Sequence, residues 1–118
     1  MRAVDAVGEY GERLAERLLV GEGMTVLARR WRCRLGEIDI VAVDGGCLVV
    51  CEVKTRRSLL AGSPLEAVTP VKLARLRRLA AAWLAQQPVR YPEVRVDVVG
   101  VVVPRSGAPR LQHLRGVA

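Results

Sequence analysis

The sequence predicts a mixed α/β fold, a central mixed sheet flanked by helices in the order helix–strand–strand–strand–helix–strand. Three observations carry it. The hydrophobic period falls from that of a helix to that of a strand at Met24. Residues 37–43 and 47–54 are apolar on both faces and are joined by Asp44-Gly45-Gly46. A second helical stripe opens behind Thr69-Pro70.

Residues 5–20 form the first helix, with Asp5 at the N-cap and Gly21 as the stop. Val7, Tyr10, Leu14, Leu18 and Leu19 gather on one side, and Gly8 and Gly11 fall within that arc, which suits close approach to a sheet better than it suits helix propensity. Residues 24–33, 37–43 and 47–54 are three strands, the second and third placed centrally by their two apolar faces. Residues 55–69 read as an exposed loop. The second helix then buries Leu73, Leu76, Ala80, Trp83 and Leu84, with Lys72, Arg75 and Arg78 on a separate arc. Residues 94–103 are a fourth strand stopped by Pro104, and the tail (104–118) can add a short edge strand near 110–114.

A chain of 118 residues with 51% hydrophobic and 26% charged residues is the size of one domain and is neither a disordered tail nor a repeat. Asp5, Glu9 and Glu12 exclude a secretory leader, and no apolar run approaches the ~20 residues of a membrane helix, so a cytoplasmic protein without membrane contact is expected. Cys33, Cys47 and Cys51 lack C-x-x-C spacing and the only histidine is His113, which argues for reduced thiols on strands over a zinc site.

The net charge of +7 implies a polyanionic partner. It is unevenly spread: residues 29–34 carry +4, residues 35–53 carry −4, and residues 54–78 carry +6. An acidic strand pair thus lies between arginine-rich flanks. Of the 19 basic residues only Lys54 and Lys72 are lysine, so each lysine asks why arginine would not serve.

Within the acidic stretch, Glu37 and Asp39 share one strand face by period, and so do Glu52 and Lys54. If the strands pair through the 44–46 turn, Asp39 and Glu52 become neighbours. Adjacent carboxylates repel, and a divalent cation relieves that repulsion, oxygen donors suiting Mg²⁺ or Mn²⁺. Lys54 over the same face can orient a water, which a guanidinium does poorly. The competing reading is a cross-strand ion pair, worth well under ~1 kcal/mol if exposed. Burial of both strands and the rarity of lysine favour the site.

Gly36-Glu37-Ile38-Asp39 followed by Glu52-Val53-Lys54-Thr55-Arg56 resembles the D…E-x-K core of the PD-(D/E)xK nuclease superfamily. The whole chain resembles the small YraN-like family within it, through Gly11-Glu12 with Ala15, the run Trp31-Arg32-Cys33-Arg34-Leu35-Gly36, Gly62-Ser63-Pro64 with Glu66-Ala67-Val68, Lys72, and Arg95-Val96-Asp97-Val98-Val99. The resemblance implies a restriction-endonuclease-like core and a nuclease similar to Holliday junction resolvases. It makes Asp39, Glu52 and the Val53 carbonyl metal ligands, adds Glu12 from the first helix, and gives Lys54 the attacking water. Resolvases act as dimers, which makes a homodimer an option here. Departures are Ile38 where the superfamily has proline, Arg30 where the family has asparagine, and Val50 and Val96 where phenylalanine is common.

Lesser candidates weigh evenly. Glu37 is either a further metal ligand or a partner of Arg32 or Arg34. Asp97 interrupts a valine run and needs a structural partner more than a reaction. Arg30, Arg32 and Arg34 on one strand face, Arg56 and Arg57 after the E-x-K, and Lys72, Arg75 and Arg78 on the second helix are three candidate phosphate-binding clusters. Trp31 and Trp83 fit core positions, and His113 has no assignable role. The expected activity is metal-dependent hydrolysis of DNA, selective for structure over sequence. A non-catalytic nucleic-acid-binding module and an adaptor for an acidic protein remain the alternatives.

Overall fold

The change of period at Met24 is a boundary between elements: helix α1 (Ala6–Gly21) closes there and strand β1 (Thr25–Cys33) begins. The computed structural model describes residues 6–58 and 62–118. Strands β2 (Gly36–Asp44) and β3 (Cys47–Arg56) form a hairpin about Gly45-Gly46, with Gly45 at φ +61°, a value that glycine adopts freely. A 3-10 turn (Pro64–Ala67) and helix α2 (Pro70–Leu84) cross over to β4 (Glu93–Val102), and β5 (Arg110–Leu114) adds the edge.

The sheet order is β1-β2-β3-β4-β5. The β1–β2, β2–β3 and β4–β5 pairs are antiparallel and β3–β4 is parallel, the α2 crossover supplying the connection that a parallel pair needs. The observed order matches the expected one, and β2 and β3 are interior strands. Past β5 the tail runs back along β4, where Val117 N–H donates to the Val96 carbonyl at 2.8 Å and Val96 N–H donates to the Ala118 carbonyl at 2.9 Å.

Two apolar layers cover the sheet. Ala15 and Leu19 of α1 pack on Ile40, Ala42, Val49, Cys51, Val53, Val99 and Val101. Leu76, Leu79, Ala80 and Trp83 of α2 pack on Ile38, Val41, Leu48, Val50 and Val96. The stripe buried by α1 is narrower than the apolar arc suggested: Gly11, Ala15 and Leu19 are its centre, and Tyr10 is only half-buried. Leu79 joins the α2 stripe. Trp83 is buried in the core beside Tyr91, their rings 6.4 Å apart. The three thiols stand free, on β1 and β3. Among the described residues, no helix is long and apolar enough to cross a membrane.

Gly11 explains a helix that carries glycine at its packing face. A Cβ there would lie 2.0 Å from Thr55 Oγ1 and 2.8 Å from Thr55 Cγ2. Contact between α1 and β3 therefore requires glycine, and the close approach expected of this residue is present.

The described parts of residues 55–69 carry more structure than an exposed loop. β3 continues to Arg56, Ser63 Oγ accepts a hydrogen bond from Leu65 N–H at 3.3 Å, and Pro64 is buried. Pro64 and Leu65 lie against Gly100 of β4, and this contact makes the segment part of the molecule. Leu59, Leu60 and Ala61 lie outside the described residues, as does the Asp5 N-cap.

Candidate functional site

The β2–β3 ladder runs from Asp44↔Cys47 to Ile40↔Cys51 and goes no further. Below that rung β2 pairs only with β1, through Cys33↔Gly36, while β3 pairs only with β4, through Arg56↔Val102. The strands fork at Asp39. Its carboxylate takes over where the backbone pairing stops: Oδ2 accepts a hydrogen bond from the Val53 backbone N–H at 2.8 Å. Alternation along β2 also breaks here, since Ile38 faces α2 whereas Ile40, two residues on, faces α1. Asp39 is therefore buried in the fork itself. This corrects the expectation that strict period 2 through Glu37, Asp39 and the residues after them sets the faces of β2.

Glu52 and Lys54 lie on β3 beyond the fork. Val49, Cys51 and Val53 pack toward α1, so Glu52 and Lys54 project toward α2. Lys54 Nζ lies 3.6 Å from Glu52 Oε2, and both side chains are largely covered. Glu12 approaches from the other side, on α1, where its Oε1 accepts from Arg30 Nε at 2.9 Å. A cleft of about 460 Å³ opens between α1 and β1, lined by Glu12, Glu16, Arg29, Arg30 and Asp39 among others. Glu12 and Asp39 thus line one cleft at the fork, and Glu52 lies on β3 beyond it. Among the described residues, no three carboxylate, imidazole or thiol side chains are gathered closely enough to hold a metal.

The donors still fit Mg²⁺ or Mn²⁺ in kind. Asp39 and Glu52 offer hard carboxylate oxygens on either side of the Val53 peptide, and Mg²⁺ is commonly held by one or two carboxylates with water and substrate oxygens completing the shell. Val53 and Glu12 are the further ligands that the resemblance implies, and Glu12 already has Arg30 as a partner.

Arg30 carries an unusual backbone. Its φ is +49°, the only positive value among the described residues other than glycine. Asparagine tolerates that left-handed conformation better than most residues, which gives a physical reason for the asparagine that the resemblance implies here. With Arg30 in this conformation, neighbouring Arg29 and Arg30 both reach α1, where Arg29 pairs with Glu16 and Arg30 with Glu12. That hydrogen bond, against the opposing effect of burial and aided by the arginine charge, holds Glu16 below its ordinary 4.5.

The cationic clusters are rearranged accordingly. Arg30, Arg32 and Arg34 do not line one strand face: Arg30 is committed to Glu12, Arg32 Nε donates to Glu37 Oε1 at 3.1 Å, and Arg34 lies in the β1–β2 turn. Glu37 thus has the arginine partner that was one of its two readings. Arg57, Arg75 and Arg78 are exposed. Arg56 is half-buried at the end of β3, its Nε enclosed without a hydrogen-bond partner among the described residues. Lys72, in the first turn of α2, lies near Lys54: the charge of Lys54, then burial, lowers the Lys72 pKa. Sequence periodicity missed this meeting, and the only signal for it was that these are the chain's two lysines.

Asp97 has structural partners, as its place in a valine strand required. Its oxygens accept from Arg95 Nε at 3.0 Å, Gly116 N–H at 2.9 Å and His113 Nε2 at 2.8 Å. His113 Nδ1 lies 2.9 Å from Glu22 Oε1, and Arg115 reaches the same carboxylate at 2.7 Å. The histidine therefore fastens the tail to β4 and to the end of α1.

The fork lies in the part of the chain that known proteins share. Residues 11–101 match the family model described as Uncharacterised protein family UPF0102. A UPF0102 protein of Kineococcus radiotolerans is 66% identical over 100% of this chain and 98% of its own length. Those of Beutenbergia cavernae (61%, covering 99% of each chain) and Streptomyces griseus (59%, covering 100% of each) are similar throughout. The fork, its E-x-K strand and both lysines fall inside the matched span, and the chain belongs to the UPF0102 family, the YraN-like proteins.

Proposed function

We propose that the protein hydrolyses phosphodiester bonds in DNA with the aid of Mg²⁺ or Mn²⁺, acting on branched or junction structures. The observation that carries this reading is the forked end of β2 and β3, where a buried aspartate is fixed by the backbone of the strand that presents Glu52 and Lys54. Asp39 and Glu52 would hold the ion, with the Val53 carbonyl alongside. Bound there, the ion supplies Lewis-acid activation of water and neutralises charge on the phosphate and the leaving oxygen.

The chain's own residues do the positioning. Val53 N–H fixes the Asp39 carboxylate, so this ligand needs no reordering when the site loads. Lys54, held near Glu52, offers an ammonium that can hold the attacking water in line with the P–O bond to be broken. Exposed Arg57, Arg75 and Arg78 offer charge to phosphates, contacts that position a duplex and carry no sequence information. Arg32 is exposed and pairs with a largely covered Glu37, whereas Arg30 serves Glu12. A second copy placing two forks on one junction would cut both strands, so dimerisation on DNA belongs to this reading.

The test is incubation of the purified protein with four-way, flapped and linear DNA in Mg²⁺, Mn²⁺ or EDTA, beside Asp39→Asn and Lys54→Met. Metal-dependent cleavage of branched DNA, lost in both variants, is expected. Salt-sensitive binding without cleavage of any substrate would replace the enzyme by a binding module.

A further inference from the structure

We propose that Lys54, Arg56 and Lys72 form a pocket that holds a single phosphate of a nucleic-acid strand between β3 and the first turn of α2. The proposal rests on the DNA reading above and adds the place where one phosphate is gripped. Lys54 and Arg56 are two residues apart on β3 and so share its α2 side. Lys72 comes to them from the start of α2, where its backbone N–H donates to Thr69 Oγ1 at 3.2 Å.

The charges of Lys54 and Arg56 both act on Lys72, and Glu52, 3.6 Å from Lys54, is the carboxylate that Lys54 and Lys72 both feel. Cations in partly covered contact repel, and burial leaves less water to screen them. Arg56 adds a buried Nε–H with no acceptor among the described residues, a donor that a protein normally satisfies. An anion seated among the three groups removes the repulsion and accepts from the orphaned donor. A phosphodiester oxygen is such an anion.

Lysine has a reason here. The chain uses arginine at 17 of its 19 basic positions and places both lysines in this pocket. An ammonium is compact, with donors that rotate, so two can converge on one phosphate from adjacent elements. A guanidinium fork is planar and wider, and suits a bidentate grip from one side. The start of α2 adds its partial positive charge to the same place.

The experiment measures binding in EDTA, so that cleavage plays no part. A fluorescein-labelled 20-mer DNA duplex is titrated with the wild type, Lys72→Met, Lys72→Arg and Arg90→Met, the last removing an equal charge from an exposed loop. Lys72→Met should weaken binding about tenfold and lower the salt slope by about one contact. Lys72→Arg should recover less than half of that loss in binding free energy, and Arg90→Met should stay within about twofold of the wild type. Unchanged melting temperatures in chloride show that the variants fold.

Inorganic phosphate at matched ionic strength is the second probe. A melting shift seen in the wild type and absent from Lys72→Met assigns the pocket to free phosphate, which would overturn the strand-phosphate assignment if DNA affinity is unaffected. Equal DNA affinity of Lys72→Met and Arg90→Met overturns the pocket, as does full rescue by Lys72→Arg. Absence of DNA binding by the wild type overturns the pocket and the DNA reading together. A tenfold loss in Lys72→Met without any cleavage by the wild type keeps the pocket and removes the nuclease.

Discussion

Asp39 Oδ2 and the Val53 backbone N–H are joined at 2.8 Å, just past the last backbone rung between their strands. The carboxylate thereby does two jobs at once. It satisfies a buried donor that the fork would otherwise orphan, and it is itself held in a fixed orientation. Asp39→Ala is expected to destabilise the fold by about 1–3 kcal/mol, because it leaves that N–H unpaired. Asp39→Asn keeps an acceptor oxygen and should cost less, while removing the ionic ligand. Urea denaturation of the two variants, read beside the cleavage assay, separates the structural job from the chemical one; equal loss of stability in both would contradict this account.

Arg30 concerns strain. Any substitution loses the Glu12 pair, so the informative comparison is between two substitutions. Arg30→Asn accepts the left-handed φ of +49°, whereas Arg30→Val places a β-branched side chain in it. The valine variant should be less stable than the asparagine variant by about 1–2 kcal/mol. Equal stabilities in thermal or chemical denaturation would show that the backbone at this residue relaxes freely.

Gly11→Ala sets helix propensity against packing. Alanine should favour an exposed helix interior by about 1 kcal/mol. Here its Cβ would meet both branches of Thr55, at 2.0 and 2.8 Å, so rotation of the threonine offers no escape. The expected result is a net loss of about 1–3 kcal/mol. Thr55→Ala in the same chain should recover part of it, since it removes Oγ1 and Cγ2 and leaves the Cβ contact at 3.0 Å. A double-mutant cycle measures that recovery, and strictly additive effects would refute the contact.

Glu16 predicts a pH dependence. Its folded pKa lies below the ordinary 4.5, chiefly through the hydrogen bond from Arg29. Its stabilising contribution is therefore complete above pH 4.5 and is lost as the pH falls through the lower folded value. Glu22 is lowered too: burial opposes the shift, and the Arg115 hydrogen bond with the His113 and Arg115 charges prevails. Glu16→Gln should flatten the fall of the denaturation midpoint below pH 4.5, with little change near neutrality. The effect is small, because Arg29 is largely exposed and salt screens the pair. An acid limb identical to that of the wild type would remove Glu16 from the linkage.

Much of the fold was legible because its signals are local. Thr69-Pro70 starts α2 with a side-chain cap, and Gly45-Gly46 closes the central hairpin. Two-faced apolar runs placed β2 and β3 inside the sheet. The E-x-K pairing of Glu52 and Lys54 was equally local, since two residues along a strand share a face. The period failed at Asp39 and at Arg30, where a side chain replaces a backbone rung and a residue takes a left-handed φ. Neither event leaves a mark in a hydrophobic pattern.

The sequence by itself determined the element order, the acidic strand pair between basic flanks, and the scarcity of lysine in an arginine-rich chain. Tertiary structure alone decided which charges meet. It drew Arg30 to Glu12, set His113 between Asp97 and Glu22, and brought Lys72 to Lys54 across 18 positions of chain. The physical reason is that propensity and period act through neighbours in sequence. Pairing of long charged side chains depends on where strands fork and helices land, and the packing of the whole sheet settles that.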